Sequence, residues 1–411
     1  MKTEEAVSQE NAAIARLSTC GADLAEALRS VLASIPRAYA GPGDLARYLH
    51  IDANVPRRIL GALNKGDPLL FVDSLPGYRG IRSFLDSASE HVSDACLSQA
   101  NEAAQKLEHL LRAQIGGRRN LTALLATVRP DARRNLELQS KRTIFQGMRQ
   151  WLGYEARLGV TSYFLRPNDA SPDKCDIATV FGLNELRRLG IALPLPVLTG
   201  YQRTDERETP ILDDLRCLNG DPVSAASGHG LISQFSTDPF PPFRQVRQGK
   251  KVVFTLPGPD FDLDGSMNYL FGLLLSSDAP RYASEASSEQ LLSKLPLVPC
   301  ESEILEVYLR KDAWPGAQPE VGIFRITPTG PVDDFESRSL DRVTDHESVE
   351  YLGWGIHGGI KEMPRYTDAM HHCFRELDWP EDEFRLYRCR VEYPVVFMQI
   401  AMRFELPAAP Q

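Results

Sequence analysis

The chain has 411 residues, 43% hydrophobic and 25% charged, a size that favours two or three domains and a composition that excludes a disordered polymer. No run approaches the ~18 apolar residues that a membrane helix needs, and the first twenty residues, "MKTEEAVSQENAAIARLSTC", carry three glutamates and lack the apolar stretch of a secretory signal. The net charge of −9 is uneven: residues 1–150 hold 20 Lys+Arg against 16 Asp+Glu, so a mildly basic head precedes an acidic body, which permits a polyanionic partner at one end without requiring it.

In chain order, residues 1–19 read as a leader or a loosely docked helix. "GADLAEALRSVLASI" places Leu24, Leu28, Val31 and Leu32 on one helical face, and Pro36 ends it. Asp44 stands as an N-cap before "LARYLHI", whose Leu45, Leu49 and Ile51 point inward. "DAN" makes a polar corner. "VPRRILGALNK" follows as a second helix with Val55, Ile59, Leu60 and Leu63 on its buried side, Pro56 in its first turn and Gly66 as its C-terminal cap. A long helical pattern runs from about His91 to Gln114 on the stripe Val92, Cys96, Ala103, Leu107, Leu110 and Leu111. "GGRRN" breaks it, and a further helical pattern, interrupted near Pro130, reaches residue 153.

The character changes at about Tyr154. "EARLGVTSYFLRP" and "KCDIATVFGL" suit strands, and "NELRRLG" reads as a short helix. Residues 192–250 predict long loops around short strands. "KKVVFTLPG", "ILEVYLRKD" and "EVGIFRITP" read as strands, "SMNYLFGLLLSS" as a buried helix and "RYTDAMHHCFRELDW" as an amphipathic helix. "FRLYRCRVEYPVVFMQIAMRFELP" gives two strands about Pro394. The expected fold is α+β: an all-helical helix-turn-helix domain over residues 1–90, a helical linker or dimerisation region over 91–153, and a mixed α+β body over 154–411.

The stretch "GPGDLARYLHIDANVPRRILGAL" resembles the helix-turn-helix of bacterial transcriptional regulators, over about residues 22–66. A helix in the major groove must show polar side chains near its N-terminus while its other face packs on the preceding helix. Asn54, Arg57, Arg58 and Gly61 fall on that outer face, with arginine suited to guanine and asparagine to adenine. Arg47 and Tyr48 on the supporting helix, with Lys65, Arg79 and Arg82, are placed to meet phosphates. The turn "HIDAN" departs from the glycine or small residue usual there, and Asn54 has capping the second helix as its alternative role. The resemblance implies double-stranded DNA as partner and a homodimer, the 91–114 helix either pairing with its copy or packing in its own domain. Arg118, Arg119, Arg133, Arg134, Lys141 and Arg142 add positive charge for phosphates or for a solvated face.

Elsewhere the motifs are incomplete. "DFDLDG" (Asp260, Asp262, Asp264, Gly265) starts like a calcium loop, but its twelfth position is Phe271. His371 and His372 are adjacent, so on a helix they diverge by about 100° and do not easily share an ion, and His346 and His357 join them only if the fold allows. His229, Ser233 and Cys300 are the nearest nucleophilic candidates, without GxSxG or a recognised Cys/His spacing. Seven cysteines (Cys20, Cys96, Cys175, Cys217, Cys300, Cys373, Cys389) lie far apart with no CxxC, arguing against disulfides and structural zinc. Trp354, Tyr366, Phe374 and Trp379 line either a pocket or the core. The expectation is a cytoplasmic, non-enzymatic DNA-binding regulator with no cofactor or metal, whose body oligomerises or binds a small molecule or protein. A protein-assembly role and a hydrolase or metal enzyme in residues 154–411 are its alternatives.

Overall fold

The computed structural model describes residues 4–36, 41–117, 120–121, 124–125, 130–189, 195–201, 215–223, 228–241, 244–248, 251–256, 265–285, 288–328, 330–344 and 346–410. It is an α+β protein, helices first and a mixed-sheet body after them. Two compact units divide the chain, Met1–Glu137 and Leu138–Gln411.

In the first unit stand α1 (Glu4–Ala33), α2 (Pro42–Tyr48), α3 (Asn54–Leu63), α4 (Pro68–Ser74), α5 (Tyr78–Ala88) and α6 (Asp94–Leu110), the last passing into a π turn over Leu111–Ile115. Residues 4–19 are not a separate leader. They belong to α1, and Leu17 is as fully buried as Leu24 and Leu28. Gly21 lets α4 approach α1, since a Cβ there would come within 2.7 Å of the Pro68 carbonyl oxygen. The stripe of α6 (Ala100, Ala103, Ala104, Leu107) joins the same core, so this helix uses its apolar face within its own unit. Next, α7 (Pro130–Leu152) begins at a proline, which the first turn of a helix tolerates.

Among the described residues, the second unit holds fourteen strands, the helix α8 and the C-terminal part of α7. The strands are β1 (Tyr154–Pro167), β2 (Lys174–Arg188), β3 (Leu195–Tyr201), β4 (Arg216–Cys217), β5 (Arg244–Gln248), β6 (Lys251–Leu256), β7 (Met267–Pro280), β8 (Glu289–Lys294), β9 (Cys300–Arg310), β10 (Glu320–Arg325), β11 (Arg342–Thr344), β12 (Glu350–Trp354), β13 (Phe384–Glu392) and β14 (Met398–Glu405), with α8 (Tyr366–Leu377) after β12. A seven-stranded sheet runs β12-β13-β9-β1-β2-β7-β4, a four-stranded one β11-β10-β14-β8, and a three-stranded one β3-β6-β5. The seven-stranded sheet pairs β1 with β9 in parallel; its other described pairs are antiparallel. One face of it packs on α8, through Val160, Phe164, Ile304 and Tyr308 against Met370, Cys373 and Phe374. The other face meets the four-stranded sheet, through Leu165, Leu305, Val307 and Leu309 against Ile400, Met402 and Phe404.

Two expected helices are strands. "SMNYLFGLLLSS" falls largely in β7, whose apolar run is continuous because a strand buried on both faces needs no alternation. "NELRR" is the end of β2. There the register shifts between Leu183 and Leu186 and Glu185 takes φ 49°, so a bulge sets two buried leucines three apart and imitates a helical period.

A polar network crosses the interface between the large sheet and α8. Glu306 of β9 is fully buried. Arg388 of β13 brings Nε and Nη2 to 2.6 and 2.5 Å from its Oε1. The Tyr366 hydroxyl donates to its Oε2 and lies 2.6 Å from Ser162 Oγ. Breaking such a pair on one side leaves a buried charge without compensation. Arg388→Met should therefore lower unfolding free energy by about 3–5 kcal/mol, and adding Glu306→Gln should recover part of that in urea titrations. Additive losses would contradict the coupling.

Candidate functional site

The candidate interface is built on the corner between α2 and α3. Gly41, not Asp44, is the N-cap of α2, because Pro42 at the first helical position already fixes the backbone. Asp44 lies in the first turn and pairs with Arg47 at 2.5 Å. At the other end, Ile51 N–H donates to Ala46 O at 3.0 Å and His50 takes φ 52°. His50 thus fills the left-handed position that closes a helix and that glycine usually occupies. The backbone N–H of Asn54 donates to Asp52 Oδ1 at 2.7 Å, so the carboxylate at the start of α3 comes from Asp52, and Asn54 makes no side-chain cap.

On α3, Ile59 and Ala62 are fully buried, and Val55, Leu60 and Leu63 pack half-buried on the same core. Asn54, Arg57, Arg58, Gly61 and Lys65 are exposed. The two arginines nevertheless differ. Arg57 Nη2 donates to Asn54 Oδ1 at 2.9 Å, one turn back on the same face. Arg58 folds away: Nη2 donates to Leu75 O at 2.7 Å and Nε to Ser74 O at 3.4 Å. Its guanidinium serves the orphan carbonyls at the end of α4, so Arg58 braces the corner. Tyr48 is half-buried, its hydroxyl 3.1 Å from His91 Nδ1 and its ring 4.5 Å from the imidazole.

Arg79 and Arg82 are exposed on α5. The backbone of Gly80 lies against Val55, which sets the first turn of α5 beside the first turn of α3 and Arg79 next to that junction. Lys65 stands past the opposite end of α3, and Arg47 lies on α2. Residues 67–88 are occupied by α4, α5 and their short connection, where a winged variant would carry a hairpin. Across residues 41–93 six arginines and lysines face six aspartates and glutamates. Of those acids, Asp52 and Asp67 accept helix-start N–H groups, and Asp44 holds Arg47. Of the more distant cations, Arg118 and Arg119 lie outside the described residues. Arg133 and Arg134 are exposed on α7, Lys141 pairs with Glu347 at 2.6 Å, and Arg142 sits over the Tyr393 ring at 5.9 Å.

In the second unit, Asp260, Asp262 and Asp264 lie outside the described residues, and Phe271 is a core residue of β7. His371 and His372 diverge along α8: the first meets Glu381 at 2.7 Å, the second lines a cavity of about 270 Å³ with Asp221, Ser233 and Glu376. Among the described residues no three His, Cys, Asp or Glu side chains converge as metal ligands. His229 lies 4.9 Å from the Phe254 ring, and burial lowers its pKa. The Cys300 thiol is buried and donates to Val298 O at 3.3 Å; burial, then the Glu303 carboxyl, pushes its pKa well above the ordinary range. It is a neutral packing residue. Tyr366, Phe374 and Trp379 are core as well.

Sequence reasoning missed Glu303, whose signal was a carboxylate inside the apolar strand "ESEILEVYLR". Its carboxyl lies over Gly159, where a Cβ would come within 1.9 Å of Oε2. It borders a cavity of about 30 Å³ with Tyr269, Lys294 and Cys300, and its Oε1 has no hydrogen-bond partner among the described residues. Burial raises its pKa from 4.5 to about 7, against the pull of Lys294. The cavity is large enough for a water molecule or two.

The sequence matches no family model and no curated protein. No helix among the described residues is long and apolar enough to cross a membrane.

Two measurements check these placements. Arg58→Ala should lower stability by about 1–2 kcal/mol, since carbonyls lose a charged donor, while Arg57→Ala should stay within about 0.5 kcal/mol. Equal effects in urea titrations would refute the brace. For Glu303 the folded pKa lies above the unfolded one, so its contribution is present in full below pH 4.5 and is lost as pH rises through about 7. Relative to Glu303→Gln, the wild type should lose on the order of 3 kcal/mol between pH 4.5 and 7.5. A flat difference over that range would contradict the assignment.

Proposed function

We propose that residues 41–88 form a duplex-DNA-binding unit and that the chain is a sequence-specific transcriptional regulator, its second unit serving oligomerisation or the sensing of a ligand or partner. The observation that carries this reading is the outer stripe of α3. Asn54, Arg57 and Gly61 follow one another at helical spacing, are exposed, and share their helix with no acidic residue, the exposed Lys65 follows just past its end, and Ile59 and Ala62 anchor the opposite side. Asn54 and Arg57 act on base edges. The hydrogen bond between them is solvent-exposed, so exchanging it for a base costs little. Arg47, Lys65, Arg79 and Arg82 meet phosphates from three sides of the corner, Tyr48 supports the first helix, and Arg58 holds the geometry. Operator occupancy is the output, and an effector changes it only by binding two conformations unequally.

The even charge balance of residues 41–93 favours a second reading, in which the same corner docks on a protein. Gel shifts on random and genomic duplexes at two salt concentrations separate the two. On the first reading, affinity falls with salt at a logarithmic slope of about −3 to −4, as four phosphate contacts give. Arg57→Ala weakens the specific duplex tenfold or more and leaves that slope alone. Arg79→Ala weakens every duplex and reduces the slope by about one. Salt-independent retention, or retention unchanged in both variants, assigns the corner to a protein partner.

A further inference from the structure

Two of the three arginines of β13 are paired with carboxylates. On β13, Arg388 grips Glu306 and Arg390 grips Glu362 at 2.5 Å. Arg385, on the same strand, has no carboxylate within ion-pair distance among the described residues. Its Nη2 donates to the carbonyls of Ala313 and Trp314, each at 3.2 Å, and its Nε finds no acceptor. Its guanidinium lies 6.0 Å from the ring centroids of both Trp354 and Tyr387. A half-buried cation whose partners among the described residues are carbonyls and π faces is undercompensated by them, because neither supplies a full negative charge.

Arg385 borders a groove of about 430 Å³, within the range of small-molecule sites, together with the turn over residues 316–319, Val349, Tyr351 and Tyr387. The two tyrosine rings stand 5.4 Å apart, tilted by 41°. The Tyr387 hydroxyl is committed to Ala317 O at 3.2 Å, so that ring is fixed. Tyr351 is 52% exposed and the neighbouring Trp354 46% exposed, too much for residues that only complete a core. The groove therefore offers aromatic surface and a single uncompensated positive charge.

We propose that this groove binds a planar aromatic carboxylate, its carboxylate on Arg385 and its ring against the exposed Tyr351, which the largely buried Tyr387 backs. One guanidinium matches a single negative charge, which favours a carboxylate over a doubly charged phosphomonoester. The site is independent of DNA binding: it is tested with the full chain and no duplex, so either assignment can fail alone.

Isothermal titration with 2-naphthoate should give saturable binding at one site per chain. Its neutral isostere 2-naphthamide should bind at least tenfold more weakly, since a charge-assisted hydrogen bond is lost. Arg385→Gln should show the same loss for naphthoate. Tyr351→Ala, at an exposed position that leaves both cores intact, should weaken binding about fivefold. No saturation at about 5 mM naphthoate overturns the proposal, that being weaker than any useful small-ligand site. So does unchanged affinity in both variants. Adenosine monophosphate binding more tightly than naphthoate overturns the carboxylate assignment in favour of a phosphate.

Discussion

The second unit depends on the parallel pairing of β1 with β9. These two strands lie at the middle of the seven-stranded sheet and are covered on both faces, by α8 on one side and by the four-stranded sheet on the other. Between its ends, a strand enclosed in this way has no solvent side on which to place charge. An ionisable group there must be neutralised by a partner or kept neutral by its surroundings. On β9 both solutions occur three residues apart. Glu306 projects toward α8 and is held by Arg388, Tyr366 and Ser162. Glu303 projects to the opposite face, where Gly159 makes room for its carboxyl but no donor among the described residues meets Oε1. The period of two along a strand puts these glutamates in different environments, and burial acts on each accordingly.

The first unit is organised by short helices whose ends must be satisfied. Asp52 and Asp67 serve helix starts, His50 closes α2, and Arg58 serves the carbonyls that end α4. Each polar residue spent on a helix end is withdrawn from binding. This division of labour separates Arg57 from Arg58, although the two are adjacent and both exposed. It also explains why a segment with an even charge balance still shows a cationic outer face on α3, since two of its acids are turned toward backbone N–H groups and a third toward Arg47.

Much of the fold was legible where periodicity was clean. The buried faces of α3 and α8 follow from apolar spacing, and β1, β9, β10 and β13 from β-branched and aromatic runs. The failures have specific causes. In β7 an uninterrupted apolar run has no period to read, and in β2 a bulge at Glu185 disguised a strand as a helix. At the candidate interface, the exposure of Asn54, Arg57 and Lys65 was readable from spacing alone. The bracing role of Arg58 was not, because its acceptors lie 16 and 17 residues later in a stretch without a clear sequence signal. Arg385 was equally hidden: its neighbours come from three separated segments that only the folded sheet brings together.

The margins of the large sheet have a consequence for behaviour at high concentration. One margin is β4, two residues long, and the other is β12, interrupted by a bulge between Tyr351 and Gly353. A long, flat terminal strand is a template on which further copies can stack through main-chain hydrogen bonds, the route to fibrils. Among the described residues neither terminal strand is itself such a template, so the backbone of β4 and of β12 disfavours growth of this sheet from molecule to molecule.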